Sequence, residues 1–228
     1  MLPYFFRHYD SLVDRYFISD NGSSDRSREL LAANRKVIVG EFHIPGSSFV
    51  QAATDHYNQC WKQSRGLADW VIVVNVDEHV YHRDLRAYLQ ACTRNGVSII
   101  RPVGYNMVAD RWPSSRKPLW KTVRHGMRDP IWDKPQVFDP NRIQDINFKP
   151  GRHAASPSGE VVFPRTERAR LLHYKYVGVD YLLRRHAELR SRFPAADFER
   201  GWGYQYLWDE QKNIDELKRV RAAAVRVV

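Results

Sequence analysis

Apolar residues recur along this chain in two rhythms, helical spacing in some stretches and short β-branched runs in others. Leu2, Phe5, Phe6, Tyr9 and Val13 fall one helical turn apart, and Pro3 suits a first turn, so residues 2–12 are expected to form an amphipathic helix. The run Arg15-Tyr-Phe-Ile-Ser19 predicts a strand, followed by a helix over about 25–33 and a short strand at Lys36-Val-Ile-Val39. A helix over Phe49–Gln63, a strand over 70–76, a helix over Arg83–Thr93 and a strand over Val97–Ile100 come next. Strands alternating with helices predict a mostly parallel sheet covered by helices. From about 103 to 165 the pattern loosens, with strands expected only near Gln136-Val-Phe138 and Val161-Val-Phe163. Helices over 177–192 and about 205–222 close a single domain without internal repeats.

The pattern opens in the middle of a repeating unit. A helix packed on a parallel sheet is normally fed by a strand, and the first helix here has none before it. A start placed too late, or a fragment of a longer chain, is expected rather than a domain that simply opens on a helix.

Trp70-Val-Ile-Val-Val74 has the length and β-branching of a buried strand, yet it breaks off into Asn75, Asp77 and Glu78. The strand at 15–19 likewise runs into Asp20-Asn-Gly-Ser-Ser-Asp25. Ligands of open α/β sheets bind beyond the carboxyl ends of strands, and hard carboxylate oxygens suit Mg²⁺ or Mn²⁺. Two acidic strand ends at one edge therefore suggest a site for a divalent metal with a polyphosphate or sugar nucleotide. The plainer alternative for residues 20–25 is a strand-to-helix turn in which Ser24 or Asp25 caps the helix.

These two segments, some fifty residues apart, resemble a family 2 glycosyltransferase of the GT-A fold. Lys134-Pro-Gln-Val-Phe138, Pro150-Gly-Arg-His153, Leu171-Leu-His-Tyr-Lys175 and Gly201-Trp-Gly-Tyr204 extend the resemblance to a bacterial subgroup over nearly the whole chain. It implies a nucleotide-sugar-binding half (1–102) and an irregular acceptor-side half (103–228). It also implies transfer of a sugar from a nucleotide-diphosphate donor to an acceptor hydroxyl, metal-assisted and inverting. In that family the first motif holds the donor nucleoside, and the last carboxylate of an Asp-x-Asp element binds the metal. Asp20 and Asn21 would then face the nucleoside. Asn75 stands where aspartate is usual, which removes one negative charge and weakens the metal assignment.

Asp77 is the expected metal ligand, because side chains alternate in direction and Glu78 beside it cannot easily reach the same ion. Glu78 is expected to support it from behind. The family resemblance adds His173 as a late histidine ligand, with His153 as runner-up, and neutral imidazole suits Mn²⁺. Lys134 and Lys175 are expected at the diphosphate as point charges. Asp133 and His153 are both candidates for the base that takes the acceptor proton, and the sequence does not choose between them. His8, His56 and His186 are expected to be structural or solvated. Gly201-Trp202-Gly203-Tyr204 reads as a lid hinge, an aromatic wall or a helix-start turn.

Composition narrows the partners. The net charge of +10 attracts anions, but no basic run resembles a nucleic-acid tail, so the expected partners are a nucleotide sugar and a saccharide or lipid-linked acceptor. Peripheral contact with the inner membrane face would suit a lipid-linked acceptor. Two cysteines without metal spacing make no disulfide framework and point to a cytoplasmic protein. Two rivals remain: a sugar nucleotidyltransferase, disfavoured by the lack of a Gly-rich phosphate loop, and an impaired or truncated domain that binds a sugar or a partner.

Overall fold

The computed structural model describes residues 1–44, 46–114, 116–166 and 169–228. Its elements are, in order, α1 (Leu2–Tyr9), β1 (Tyr16–Asp20), α2 (Ser27–Ala33), β2 (Val37–Glu41), α3 (Phe49–Gln59), β3 (Val71–Ile72) and β4 (Glu78–Tyr81). There follow α4 (Leu85–Arg94), β5 (Ile99–Ile100), β6 (Val103–Ala109), α5 (Leu119–Thr122), β7 (His125–Arg128) and β8 (Val137–Phe138). The chain continues through β9 (Ile143–Asp145), β10 (Ser158–Gly159), β11 (Arg170–Val177), α6 (Val179–Arg192), α7 (Ala195–Glu199), α8 (Glu210–Ala222) and β12 (Val225–Arg226). This is a mixed α/β fold of several sheets and helices.

The sheets differ from the expected parallel one. Among the described residues they are a five-stranded sheet ordered β12-β7-β6-β11-β4, a three-stranded sheet β3-β8-β5, and the pairs β1-β2 and β9-β10. Only β1-β2 and β6-β11 pair in parallel. The reason is β8, a strand from the second half of the chain that wedges antiparallel between β3 and β5. The expected strand over 70–76 pairs as a strand only at Val71–Ile72, with Val73 adding a bond to Gln136, before a turn closes from Glu78 N–H to the Asn75 carbonyl. No strand forms at 161–163: the Val162 carbonyl accepts from Ser98 and Ile99, and its own N–H donates to the Ser98 hydroxyl, so the stretch is fastened at one point. The last helix starts at Glu210, where Asp209 accepts from the Lys212 N–H, and not at 205.

Strand β11 is the centre of the fold. Leu171, Leu172, Tyr174 and Val177 are fully buried, and the strand has a neighbour on each edge. Its register sets His173 opposite Glu78 of β4 and opposite Asn106 of β6. Side chains directly opposite on paired strands share a face, so this register alone gathers three polar side chains from distant segments.

Helix α1 buries Leu2, Phe5, Phe6 and Tyr9 against β1 and α2. It also serves the outer edge of β4, where the Tyr9 hydroxyl donates to the Glu78 carbonyl at 3.2 Å and accepts from Val80 N–H at 2.7 Å. His8 Nε2 lies 2.8 Å from the Val80 carbonyl, and its ring stacks on His79 at 4.6 Å. A strand edge left with free backbone groups is thus closed by helix side chains. At the other end of the chain, the fully buried Asp197 of α7 caps α3. Its carboxylate accepts from Phe49 N–H at 2.8 Å, Val50 N–H at 3.2 Å and the Ser48 hydroxyl.

Asp197→Ala strands those donors in the interior and is expected to cost about 2–3 kcal/mol, with Asp197→Asn milder, measured as urea unfolding midpoints. A loss under about 0.5 kcal/mol would show that water satisfies the helix end instead. A pH effect follows from His8, whose burial lowers its pKa to about 4 despite the bond to Val80. The unfolded chain then takes up the proton first. The stability due to neutral His8 is complete above about pH 6.5 and declines as pH falls toward 4. His8→Gln should flatten that decline in a series of unfolding curves from pH 7.5 to 4.5.

Candidate functional site

A cavity of about 1560 Å³ opens where β1 and β3 end, walled by α1, α3, α6 and the 130–153 region. Among its lining residues are Asn21, Asn75, Asp77, Asp129, His173 and Lys175. Chain segments far apart in sequence therefore deliver carboxylates, an imidazole and an ammonium to one space.

The turn that presents Asp77 is held from behind. The Glu78 side chain is fully buried and meets Lys134 Nζ at 2.7 Å and Arg152 at 3.0 Å. Its Oε2 also accepts from Asn75 N–H at 3.1 Å, so the carboxylate braces the turn it belongs to. Burial opposes the charge on Glu78, but Arg152 and Lys134 overcome it and hold the carboxyl well below its usual range. Arg152 also donates to the Val73 carbonyl at 2.6 Å and lies over the Tyr57 ring. The Tyr57 hydroxyl in turn donates to Asn75 Oδ1 at 2.8 Å. Glu78, Arg152, Tyr57 and Asn75 behind Asp77 are thus each fixed by a partner.

Asp77 itself keeps 22% side-chain exposure and faces His173, with Oδ2 and Nε2 3.7 Å apart. The far side of the imidazole is defined by a relay. Asn106 Nδ2 donates to Asp129 at 2.8 Å, which turns Asn106 Oδ1 toward His173 Nδ1 at 2.9 Å. Nδ1 therefore carries the proton in the neutral ring, and the Nε2 lone pair points at a carboxylate. Trp132 packs on the ring at 3.7 Å and keeps it in this plane. Two electron-rich donors aimed at each other are stable only with a cation or a second proton between them. With the second proton on Nε2, the charged imidazole of His173 more than offsets the burial that opposes ionisation of Asp77, and holds the carboxyl below its usual range.

The other expected residues divide. Asn21 and Asn75 line the cavity, and Lys175 does so half-buried, its pKa lowered by burial to about 8 against the pull of Glu216, Asp77 and Asp129. His153 is at the rim; its Nδ1 lies 3.0 Å from the Ile131 carbonyl, leaving Nε2 free to accept. Gly151 permits this placement, since its φ is +73° and a Cβ there would come within 2.8 Å of the His153 ring.

Three expected residues are placed away from the roles read for them. Lys134 is 1% exposed and paired with Glu78, so its ammonium is a structural counter-charge rather than a diphosphate contact. Asp133 lies outside the cavity lining, accepting from Gly104 N–H at 2.8 Å and from Arg128, and so is not placed as a base. Asp20 is turned into its own loop, accepting from Ser23 N–H at 3.2 Å and from Arg28 at 2.9 Å, which is the strand-to-helix turn geometry. Asn106 and Asp129 were not anticipated. A polar residue inside the apolar run Val103-Gly-Tyr-Asn-Met-Val108 was the available signal for Asn106.

No family model and no curated protein matches this chain. The site must be weighed on its own residues. Among the described residues no third His, Cys, Asp or Glu joins Asp77 and His173 in a group that could hold a metal ion. The pair still fits a partial site. Ligands about 2.0–2.2 Å from one ion stand a little over 3 Å apart, and Mg²⁺-type ions commonly use one or two protein groups plus phosphate oxygens and water. No helix among the described residues is long and apolar enough to cross a membrane.

Glu78→Gln removes the counter-charge from two buried cations and is expected to cost about 3–5 kcal/mol in urea unfolding. Adding Lys134→Met to that variant should restore part of the loss, because one uncompensated charge disappears with it. Equal stability of the single and double variants would mean that Lys134 is not held by Glu78.

Proposed function

We propose that this chain is a metal-assisted glycosyltransferase with a GT-A-like arrangement, moving a sugar from a nucleotide-diphosphate donor to an acceptor hydroxyl. The observation that carries the reading is the facing pair Asp77–His173, with the imidazole tautomer fixed by Asn106 and Asp129. Asp77 and His173 would hold the divalent ion, whose chemistry is to neutralise charge on the leaving diphosphate. Lys175 adds a cation on the same wall and orients the diphosphate. Asn21 and Asn75 offer amide groups to the nucleoside at the ends of the two strands. His153 accepts the acceptor proton at Nε2. Its pKa is lowered by burial and by the charge of Lys134, which keeps it unprotonated at neutral pH.

A second reading, a domain that binds the donor without turnover, draws on Asn75, whose amide replaces an expected carboxylate and is tied to Tyr57. Isothermal titration with uridine, guanosine and thymidine diphosphates, each with and without Mn²⁺, tests both. At least one should bind at least tenfold more tightly with Mn²⁺, and Asp77→Asn should remove that gain without lowering the melting temperature. Metal-independent binding that the variant leaves intact would refute the metal assignment. Metal-dependent binding with no sugar release or transfer from any nucleotide sugar would favour the second reading.

A further inference from the structure

Five aromatic residues, Tyr181, Trp202, Tyr204, Tyr206 and Trp208, line one wall of the cavity together with His186. Helix α6 supplies Tyr181 and His186, and it packs against β11, α8 and the short helical turn Tyr204–Leu207. Because β11 leads through Gly178 straight into α6, this wall continues from the strand that carries His173 and Lys175. The segment bearing the other rings is anchored from behind. Trp202 N–H donates to the Asp197 carbonyl at 2.9 Å and Tyr206 N–H to the Gly203 carbonyl at 2.8 Å. Gly203 has a φ of +67°, and a Cβ there would come within 2.6 Å of the Phe193 ring.

Three of these rings are backed on one side. Trp112 packs on Tyr181 at 4.4 Å, Arg200 lies over Trp202 at 5.6 Å and Lys212 over Trp208 at 5.0 Å. A ring covered on one face presents the other. Their polar ends are also unspent, since no hydrogen bond among the described residues engages the Tyr181 hydroxyl or the indole N–H of Trp202 or Trp208. His186 adds a stronger requirement. It is 4% exposed, and neither ring nitrogen has a hydrogen-bond partner. Asn213 is similar, because its Nδ2 donates to the Trp208 and Asp209 carbonyls while Oδ1 receives no donor. Buried polar atoms without partners are destabilising and rare, and at a cavity wall they mark a place that a ligand can complete.

The chemistry of that ligand follows from the same groups. Burial and the charge of Lys175 lower the His186 pKa to about 4 against the pull of Asn213, so the ring is neutral. Neutral imidazole offers one donor and one acceptor. Alcohol groups, which both donate and accept, match that pair, whereas an anion only accepts. A hydrocarbon tail would leave both nitrogens unmatched and bury the free phenol and indole ends as well. A pyranose has an apolar C–H face for an aromatic ring and a rim of hydroxyls for the polar ends.

We propose that the wall formed by α6 and residues 201–208 binds a saccharide, with one sugar ring stacked on Trp202 and a hydroxyl hydrogen-bonded to His186. The imidazole is reached when Tyr206, whose ring lies 5.3 Å from it, swings aside on the turn that follows Gly203. The role of this saccharide as acceptor rests on the function proposed above, whereas its binding does not.

The test is an array of immobilised neutral and acidic saccharides, read with the full chain in EDTA and without nucleotide, the best binder then being titrated by calorimetry. At least one saccharide should bind. Trp202→Ala and His186→Phe should each weaken it at least tenfold and leave Mn²⁺-dependent nucleotide affinity unchanged. His186→Phe should also hold or raise the thermal midpoint, because two unpartnered polar atoms leave the interior, whereas loss of a merely structural histidine would lower it. Binding of no saccharide, or unchanged affinity in either variant, would overturn the proposal. Binding of a polyprenyl phosphate or a free nucleoside that Trp202→Ala abolishes would overturn it too, giving the wall to a lipid tail or a base. Failure of the nucleotide titration alone counts against the activity and leaves the saccharide result standing, so the two failures are distinguishable.

Discussion

Glu78 carries a full negative charge where no solvent reaches it, and much of the molecule is arranged around that fact. A carboxylate so placed is tolerable only with counter-charges and hydrogen bonds on every side. They come from residues 134 and 152 in the second half of the chain and from the N–H of Asn75 in the first. One buried ion cluster thus does two jobs. It ties the 130–153 region onto the end of β3, and it fixes the turn from which Asp77 projects. The cations are themselves braced by rings, Lys134 over Trp132 and Arg152 over Tyr57, so their position is set by packing as well as by charge.

The same rings connect this support to the open side of the site. Trp132 touches both the Lys134 ammonium and the His173 imidazole, and Tyr57 joins Arg152 to Asn75. His173 and Asn75 are therefore each one ring away from the buried cluster. Their orientation is prepared before any ligand arrives, which is the condition for charge stabilisation without reorganisation.

The longer helices were legible because their apolar stripes are long enough to show a period, and the runs at 15–19 and 36–39 were legible as strands, whereas the short α5 and α7 were not. The pairing was not. Strands β3, β5 and β8 are two residues each, too short for any alternation, and nothing in Val137-Phe138 shows that it enters between the other two in the opposite direction. The approach of Asp77 to His173 could be anticipated, because Asp77 follows an apolar run and His173 follows the apolar pair Leu171-Leu172, although β11 continues past it to Val177. Burial of Lys134 could not, since a lysine in a Trp- and Pro-rich stretch reads equally as a surface cation. Asp129 and Asp133 flank one short helical turn, Pro130–Trp132, and only its folded geometry sends the first toward Asn106 and the second toward Gly104 and Arg128.

The cap that Asp197 places on α3 has a consequence for the order of folding. Ser48 and Asp197 are 149 residues apart, so the first turn of α3 gains its carboxylate only after nearly the whole chain has closed on itself. Nucleation must use contacts nearer in sequence, such as those of α1 with β1 and α2. The α3 wall of the cavity would then be among the last parts to become rigid. Nascent chains that have not yet emitted α7 would carry the chemistry-bearing residues without the wall that confines them.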